Sequence, residues 1–263
     1  MTQLAPGTPI EHPVPPGIGP RVLQHPVGTP VGNYHWVYLW QLPIRVMHWI
    51  AAAAMVVLIL TGFYIGRPYF LTQSLATGSF SFQWARLLHF VAAALLVGTA
   101  IVRVYWLFAG NKFERLPALF PIRPRDLANL LRQIKHYSFL DRHEIHYIGH
   151  NPLQQIFYTS MYMAAVVMVL TGFALYGTAD PQGFIWRNFA WVNDVLGGLP
   201  HTRLLHHVLT WYFLMFIPGH VYFVLRSDIY EVGNLSSIIN GGKFVQDGID
   251  YVDHDPADPD TRR

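Results

Sequence analysis

The stretch RLLHHVLTWYFLMFIPGHVYFVLR, residues 203–226, decides the fold. It is apolar and exceeds the roughly 20 residues of helix that a bilayer requires. It also carries histidines inside the apolar run. His206 and His220 lie 14 residues apart. At about 100° per residue they share one helix face, about 21 Å apart along the axis. His207 swings roughly 140° away from that face. Ionisable side chains at membrane depth are costly and call for a functional explanation.

Three more such runs precede it: 44–66 (IRVMHWIAAAAMVVLILTGFYIG), 84–108 (WARLLHFVAAALLVGTAIVRVYWLF) and 153–177 (LQQIFYTSMYMAAVVMVLTGFALYG). The 263-residue chain is 52% hydrophobic and only 13% charged, against about 25% charged in a soluble domain. An all-α integral membrane protein follows, a four-transmembrane-helix bundle. The absence of cysteine excludes disulfides, thiolate-held zinc, iron–sulfur clusters held by this chain, and c-type haem attachment. Nine of the 19 prolines fall before residue 44. The lead lacks the charged start, apolar core and cleavage site of a signal peptide. Residues 1–33 are therefore expected to be a disordered Pro-rich tail, and 246–263 a disordered acidic one, flanking a transmembrane domain at 34–245. The loop at 109–151 holds Lys112, Arg115, Arg123, Arg125, Arg132, Lys135 and Arg142, whereas the loops at 67–83 and 178–202 hold only Arg67 and Arg187. By the positive-inside rule the basic loop and both termini face the cytoplasm. Membrane topology thus accounts for the basic charge, and no nucleic-acid partner is expected.

A weak internal repeat pairs the spans. VLILTGFYIG (57–66) matches VMVLTGFALYG (167–177), RLLH opens both the second and the fourth run, and Arg103 aligns with His220. Histidines survive at different places in the two halves: His48, His89, His206 and His220. Neutral imidazole is the usual axial ligand of b-type haem. Depth pairs His89 with His206 at the outer end and His48 with His220 at the inner end, giving four ligands for two b haems. Arg45, Arg86 and Arg203 each precede a ligand by three residues and so neighbour it on the helix. They are candidate partners of haem propionates or, alternatively, headgroup anchors. Gly62 and Gly172 in the TGF motifs would permit close approach of a helix or a porphyrin. Asn151-Pro152 reads as a helix start, leaving His150 at the cytoplasmic surface, where a quinone headgroup could receive a proton. No catalytic residues are expected.

The motifs PIRVMHW, LTGFYIGRP, RLLHF, GNKFERLP, GHNPL, LTGFALYG, HHVLTWYFLMFIPGHVY and INGGKF span about residues 34–245. They resemble the membrane cytochrome b subunit of uptake nickel–iron hydrogenases. The resemblance implies two b haems on His48, His89, His206 and His220, and a quinone role for His150. It implies partners in the iron–sulfur small subunit and the nickel–iron large subunit, anchored at the periplasmic face of the bacterial inner membrane, with room for a higher oligomer. The chain would be the electron-transfer subunit of a hydrogen:quinone oxidoreductase, with no hydrogen active site of its own. Two alternatives stand beside it: the gamma-type cytochrome b of a formate dehydrogenase or thiosulfate reductase, and a haem-free anchor or transporter. The Pro-rich lead departs from the family pattern, as does Leu204-Leu205 before His206.

Overall fold

A computed structural model describes residues 34–67, 80–122, 124–138, 140, 145–230, 234–246 and 248–253. The Pro-rich lead and residues 254–263 lie outside the described residues, as do Arg123 and Arg142 of the basic loop. Strand β1 (Tyr34–Tyr38) leads into α1 (Leu42–Gly66) and α2 (Phe80–Ala109). Two short helices follow, α3 (Leu116–Leu119) and α4 (Pro124–Tyr137), and then α5 (Pro152–Tyr176). Beyond a 3₁₀ turn come α6 (Phe184–Phe189), α7 (Trp191–Val195), α8 (Leu199–Tyr230), α9 (Asn234–Asn240) and strand β2 (Gly242–Gln246). Helices α1, α2, α5 and α8 contain the stretches long and apolar enough to cross a membrane. They coincide with the four runs read from the sequence. Helix α1 packs on α2, α5 on α8, and α1 also touches α8, so the two sequence repeats are two packed helix pairs.

Local chemistry sets the helix ends. Pro43 and Pro152 sit in the first turns of α1 and α5, where a missing N–H costs nothing. Asn151 caps α5 reciprocally: its Oδ1 accepts from the Gln154 N–H at 2.9 Å, while Gln154 Oε1 accepts from the Asn151 N–H at 3.0 Å. Few side chains of the spans are fully buried. Helix α2, for example, buries only Ala85 and Ala92, as expected of a helix whose solvent is lipid.

The densest packing lies past the ends of the spans. Strands β1 and β2 pair antiparallel, Tyr34 opposite Gln246 and Tyr38 opposite Gly242. This two-stranded sheet amends the all-α expectation. Val37, Leu39, Phe113, Ile148 and Val245 form a buried cluster, with Trp40 and Tyr251 against it. The Gly-Gly of INGGKF makes the connection possible. Gly241 has φ +101°, and a Cβ there would lie 2.6 Å from the Tyr38 ring. Its carbonyl accepts from the N–H groups of both Leu39 and Trp40 at 2.8 Å.

Glu114 ties this cap to the bundle. Fully buried, it accepts from the Gln41 N–H at 2.6 Å and from the Asn111 N–H and Trp106 Nε1–H at 3.1 Å each. Burial raises its carboxyl above the usual range, against the opposing pull of those donors and of Arg103. The acidic tail expected from residue 246 must be moved back. Residues 248–253 are folded: Val252 donates to the His146 carbonyl, and the Asp253 carboxylate accepts from the N–H groups of Ile148 and Gly149 at 2.6 and 2.7 Å. Composition suggested disorder, but two backbone donors anchor the acid. Asp253→Ala would orphan both, and should cost about 1–3 kcal/mol. The check is a lower thermal midpoint in detergent, with Asp253→Asn falling between the two.

Candidate functional site

Each RLLH histidine meets the Thr-Gly pair of its own helix pair. His89 Nδ1 lies 2.9 Å from Thr61 Oγ1, and His206 Nδ1 lies 2.9 Å from Thr171 Oγ1. A threonine hydroxyl has a single proton to give. Thr61 gives it to the Val57 carbonyl at 2.6 Å, and Thr171 gives it to the Val167 carbonyl at 2.8 Å. Toward the histidine each hydroxyl is therefore an acceptor, so each Nδ1 carries the hydrogen. Both Nε2 atoms are left with a free lone pair, the form in which imidazole binds a metal.

The glycines share in the arrangement. A Cβ at Gly62 would touch His89 Cε1, and one at Gly172 would touch His206 Cε1, both at 3.4 Å. Branched side chains there would push the rings aside. His89 and His206 lie close enough for their charges to interact. His207 instead faces Phe63, ring centroids 5.5 Å apart, and the open side of Gly66.

At the other end of the spans His48 and His220 face each other with ring centroids 6.3 Å apart. His48 Nδ1 is buried and has no hydrogen-bond partner. Tyr158, which occupies in α5 the place of His48 in α1, also approaches His220, at 6.3 Å. Arg103, which occupies the place of His220, donates to Tyr162 Oη and to the Glu114 carbonyl at 3.3 and 3.1 Å, and its Nη1 is buried without a partner. His150 lies between Trp40, whose ring is tilted against it at 5.0 Å, and Tyr158, which meets it edge-on at 4.7 Å, with its Nδ1 closed off and unpartnered. Burial lowers its pKa to about 3, and the charges of Arg103, His220 and Lys243 act in the same direction. His150 is thus a neutral hydrogen-bonding group at pH 7 and holds no exchangeable charge there.

The three arginines separate. Arg45 donates from Nη1 to the Ile239 carbonyl at the end of α9. Arg86 lies over the Phe90 ring of its own helix at 5.8 Å, and Arg203 is exposed. Thr61, Thr171 and Glu114 were not singled out from the sequence. The repeated TGF motif was the available signal for the threonines, although only its glycines drew notice.

Over residues 39–241 the sequence matches the prokaryotic cytochrome b561 family. The chain belongs to that family. It is 36% identical over 210 residues to the probable Ni/Fe-hydrogenase B-type cytochrome subunit of Azotobacter chroococcum, covering 78% of this chain and 87% of the relative. It is 34% identical over 215 residues to the subunit so named in Cupriavidus necator, covering 80% and 88%. It is 31% identical over 212 residues to the probable Ni/Fe-hydrogenase 1 B-type cytochrome subunit of Escherichia coli K12, covering 78% and 89%. The resemblance read from the motifs is borne out.

A b-type cytochrome family implies haem b, and the residues present fit it. Two rings offer free Nε2 lone pairs beside glycine-lined space, and a third has an orphaned nitrogen. His48 and His220, with ring centroids 6.3 Å apart, are the residues that would hold such a group at that end.

The depressed His150 sets a pH dependence. Between its ordinary 6.5 and about 3, the unfolded chain binds a proton that the folded chain refuses. Stability therefore falls as pH drops through that window. In thermal unfolding, wild type should lose more stability between pH 7 and pH 4.5 than His150→Gln does.

Proposed function

We propose that this chain is a dihaem b-type cytochrome of the bacterial inner membrane. It anchors a nickel–iron hydrogenase and passes electrons from that enzyme's iron–sulfur subunit to membrane quinone. The observation that carries the reading is the twice-built Thr–Gly–His arrangement at one end of the bundle, together with a facing histidine pair at the other. In this reading His89 and His206 hold the haem at the periplasmic end and His48 and His220 the one at the cytoplasmic end. The hydrogenase partner is supported by the names borne by relatives that match across most of their length. The transmembrane domain begins at 34 and extends past 245 to include Asp253, and a cytoplasmic placement of both termini is supported by the basic loop.

A b haem supplies reversible one-electron chemistry when bound; the protein supplies position and environment. Thr61 and Thr171 lock the ligand tautomer, so that no proton need move when a ligand bond forms. Arg86 and Arg203 stand one turn from the outer ligands, where solvent-exposed propionates would find them. At the inner end the unpartnered Nη1 of Arg103 and the Nε of Arg45 are cationic donors facing a site that receives negative charge. His150, neutral and with one ring nitrogen open, is suited to hydrogen-bond a quinone oxygen. A proton for the reduced quinone must come from another group.

Pyridine haemochromogen assay of the purified protein should give two b haems per chain, falling to about one in His89→Ala and in His220→Ala. A folded wild type without haem, isolated with its partner subunits, would end this reading. Molybdenum in place of nickel in the co-purifying enzyme would overturn the hydrogenase assignment and keep the cytochrome. Thr61→Val removes the acceptor that makes His89 a stronger electron donor. It should raise the midpoint potential of one haem in a redox titration, with Thr61→Ser restoring it.

A further inference from the structure

Helix α4 has its faces reversed. In an ordinary surface helix the apolar stripe turns inward and the polar face outward. Here Asp126 and Gln133 are the buried side chains, each 2% exposed. Gln133 Nε2 donates to the Ile145 carbonyl at 2.8 Å and Asn129 Nδ2 to Tyr147 Oη at 2.9 Å. The polar face is thus spent on the segment leading into α5, on which α4 also packs. The apolar residues point away: Leu127, Leu131 and Ile134 are 54, 65 and 42% exposed. Their spacing of four and three residues makes one continuous stripe. At about 100° per residue, Lys135 lies about 80° and Arg132 about 140° round from Leu127. Both cations are exposed.

We propose that α4 lies in the headgroup layer of the membrane, its Leu127–Leu131–Ile134 stripe in the acyl boundary and Lys135 and Arg132 on anionic phospholipid headgroups. Its position fits that occupant. Helix α4 connects the end of α2 to the start of α5, so it sits at the level where two spans leave the bilayer, and it is tethered to the second of them. The stripe therefore continues the lipid-facing surface of the bundle. The flanking cations match the anionic charge of the cytoplasmic leaflet, and an apolar face bordered by Lys and Arg is the pattern of helices that lie in the interface plane. The docked polar face fixes the helix rotation, so the stripe cannot turn inward without breaking the bonds of Gln133 and Asn129.

Because the chain has no cysteine, single substitutions give unique labelling sites. Leu131→Cys, Ile134→Cys and Arg132→Cys, each carrying a nitroxide, would be placed in the full chain in nanodiscs of phosphatidylcholine and phosphatidylglycerol. Collision with oxygen, which partitions into lipid, would be compared with collision with water-soluble chromium oxalate. The ratio of oxygen to oxalate accessibility should be several-fold higher at 131 and 134 than at 132. Omitting phosphatidylglycerol, or introducing Arg132→Gln with Lys135→Gln beside the label at 131, should lower the ratio at 131. An equal ratio at 131 and 132 would place the stripe in water and overturn the proposal. Shielding of 131 from both reagents would mean that a protein covers it, and would overturn it as well. No dependence on phosphatidylglycerol would overturn the headgroup contact.

Discussion

A threonine hydroxyl with one proton governs the half of this molecule that carries His89 and His206, the outer half in the proposed orientation. Inside a bilayer an unpaired polar group finds no water, so a histidine ring among the spans must be bonded on the nitrogen that does not serve its function. Thr61 and Thr171 do this by committing their own hydrogen to a carbonyl one turn back on the same helix, which leaves only an acceptor for the imidazole. The ring's tautomer is thereby fixed before any partner arrives. The adjacent glycine, where a Cβ would meet the ring edge, lets the helices come close enough for the bond to form. Orientation, tautomer and close approach thus come from two consecutive residues, which explains why the pair reappears intact in both halves of the chain.

The inner half departs from that symmetry. Where the repeat would place two equivalent pairs, α1 contributes His48 and α8 contributes His220, while α5 contributes Tyr158 and α2 contributes Arg103. The substituted positions form the second wall of the same site: Tyr158 lies against both His220 and His150, and Arg103 reaches to Tyr162 and Glu114. The cap fixes this asymmetry. Glu114 holds the start of α1 to the end of α2, and Asp253 holds the backbone just ahead of α5. The ends that carry His48, Arg103 and His150 are therefore set by soluble-type packing.

Much of this was legible in the sequence, for physical reasons. Four apolar runs can only be spans, and the 14-residue spacing of His206 and His220 is a property of any straight helix. The reading that favours His206 over His207 rested on angle and repeat alone. Other features depend on tertiary partners. A threonine in a transmembrane helix usually satisfies itself on its own carbonyl, so Thr61 and Thr171 carried no signal until the histidines were seen facing them. The strand at Tyr34–Tyr38 is short, and its pairing partner lies some two hundred residues away. Asp253 stands in a segment whose composition reads as disorder. Helix α4 was read only as part of a basic loop, and periodicity could not have said which of its faces turns inward.

Charge distribution gives the proposed relay a direction. Arg86 and Arg203 at the outer end are exposed, so water and salt screen their fields. Arg103 and Arg45 each keep a buried nitrogen without a partner, and Lys243 is almost wholly buried. Their fields act through protein at a lower effective dielectric. In the proposed relay an added electron would be better stabilised at the inner pair than at the outer one, while the neutral state of His150 follows first from its burial, with the charges of Arg103, His220 and Lys243 acting in the same direction. The inner end favours negative charge while withholding a proton, which makes proton delivery to an acceptor there a separate event from electron arrival.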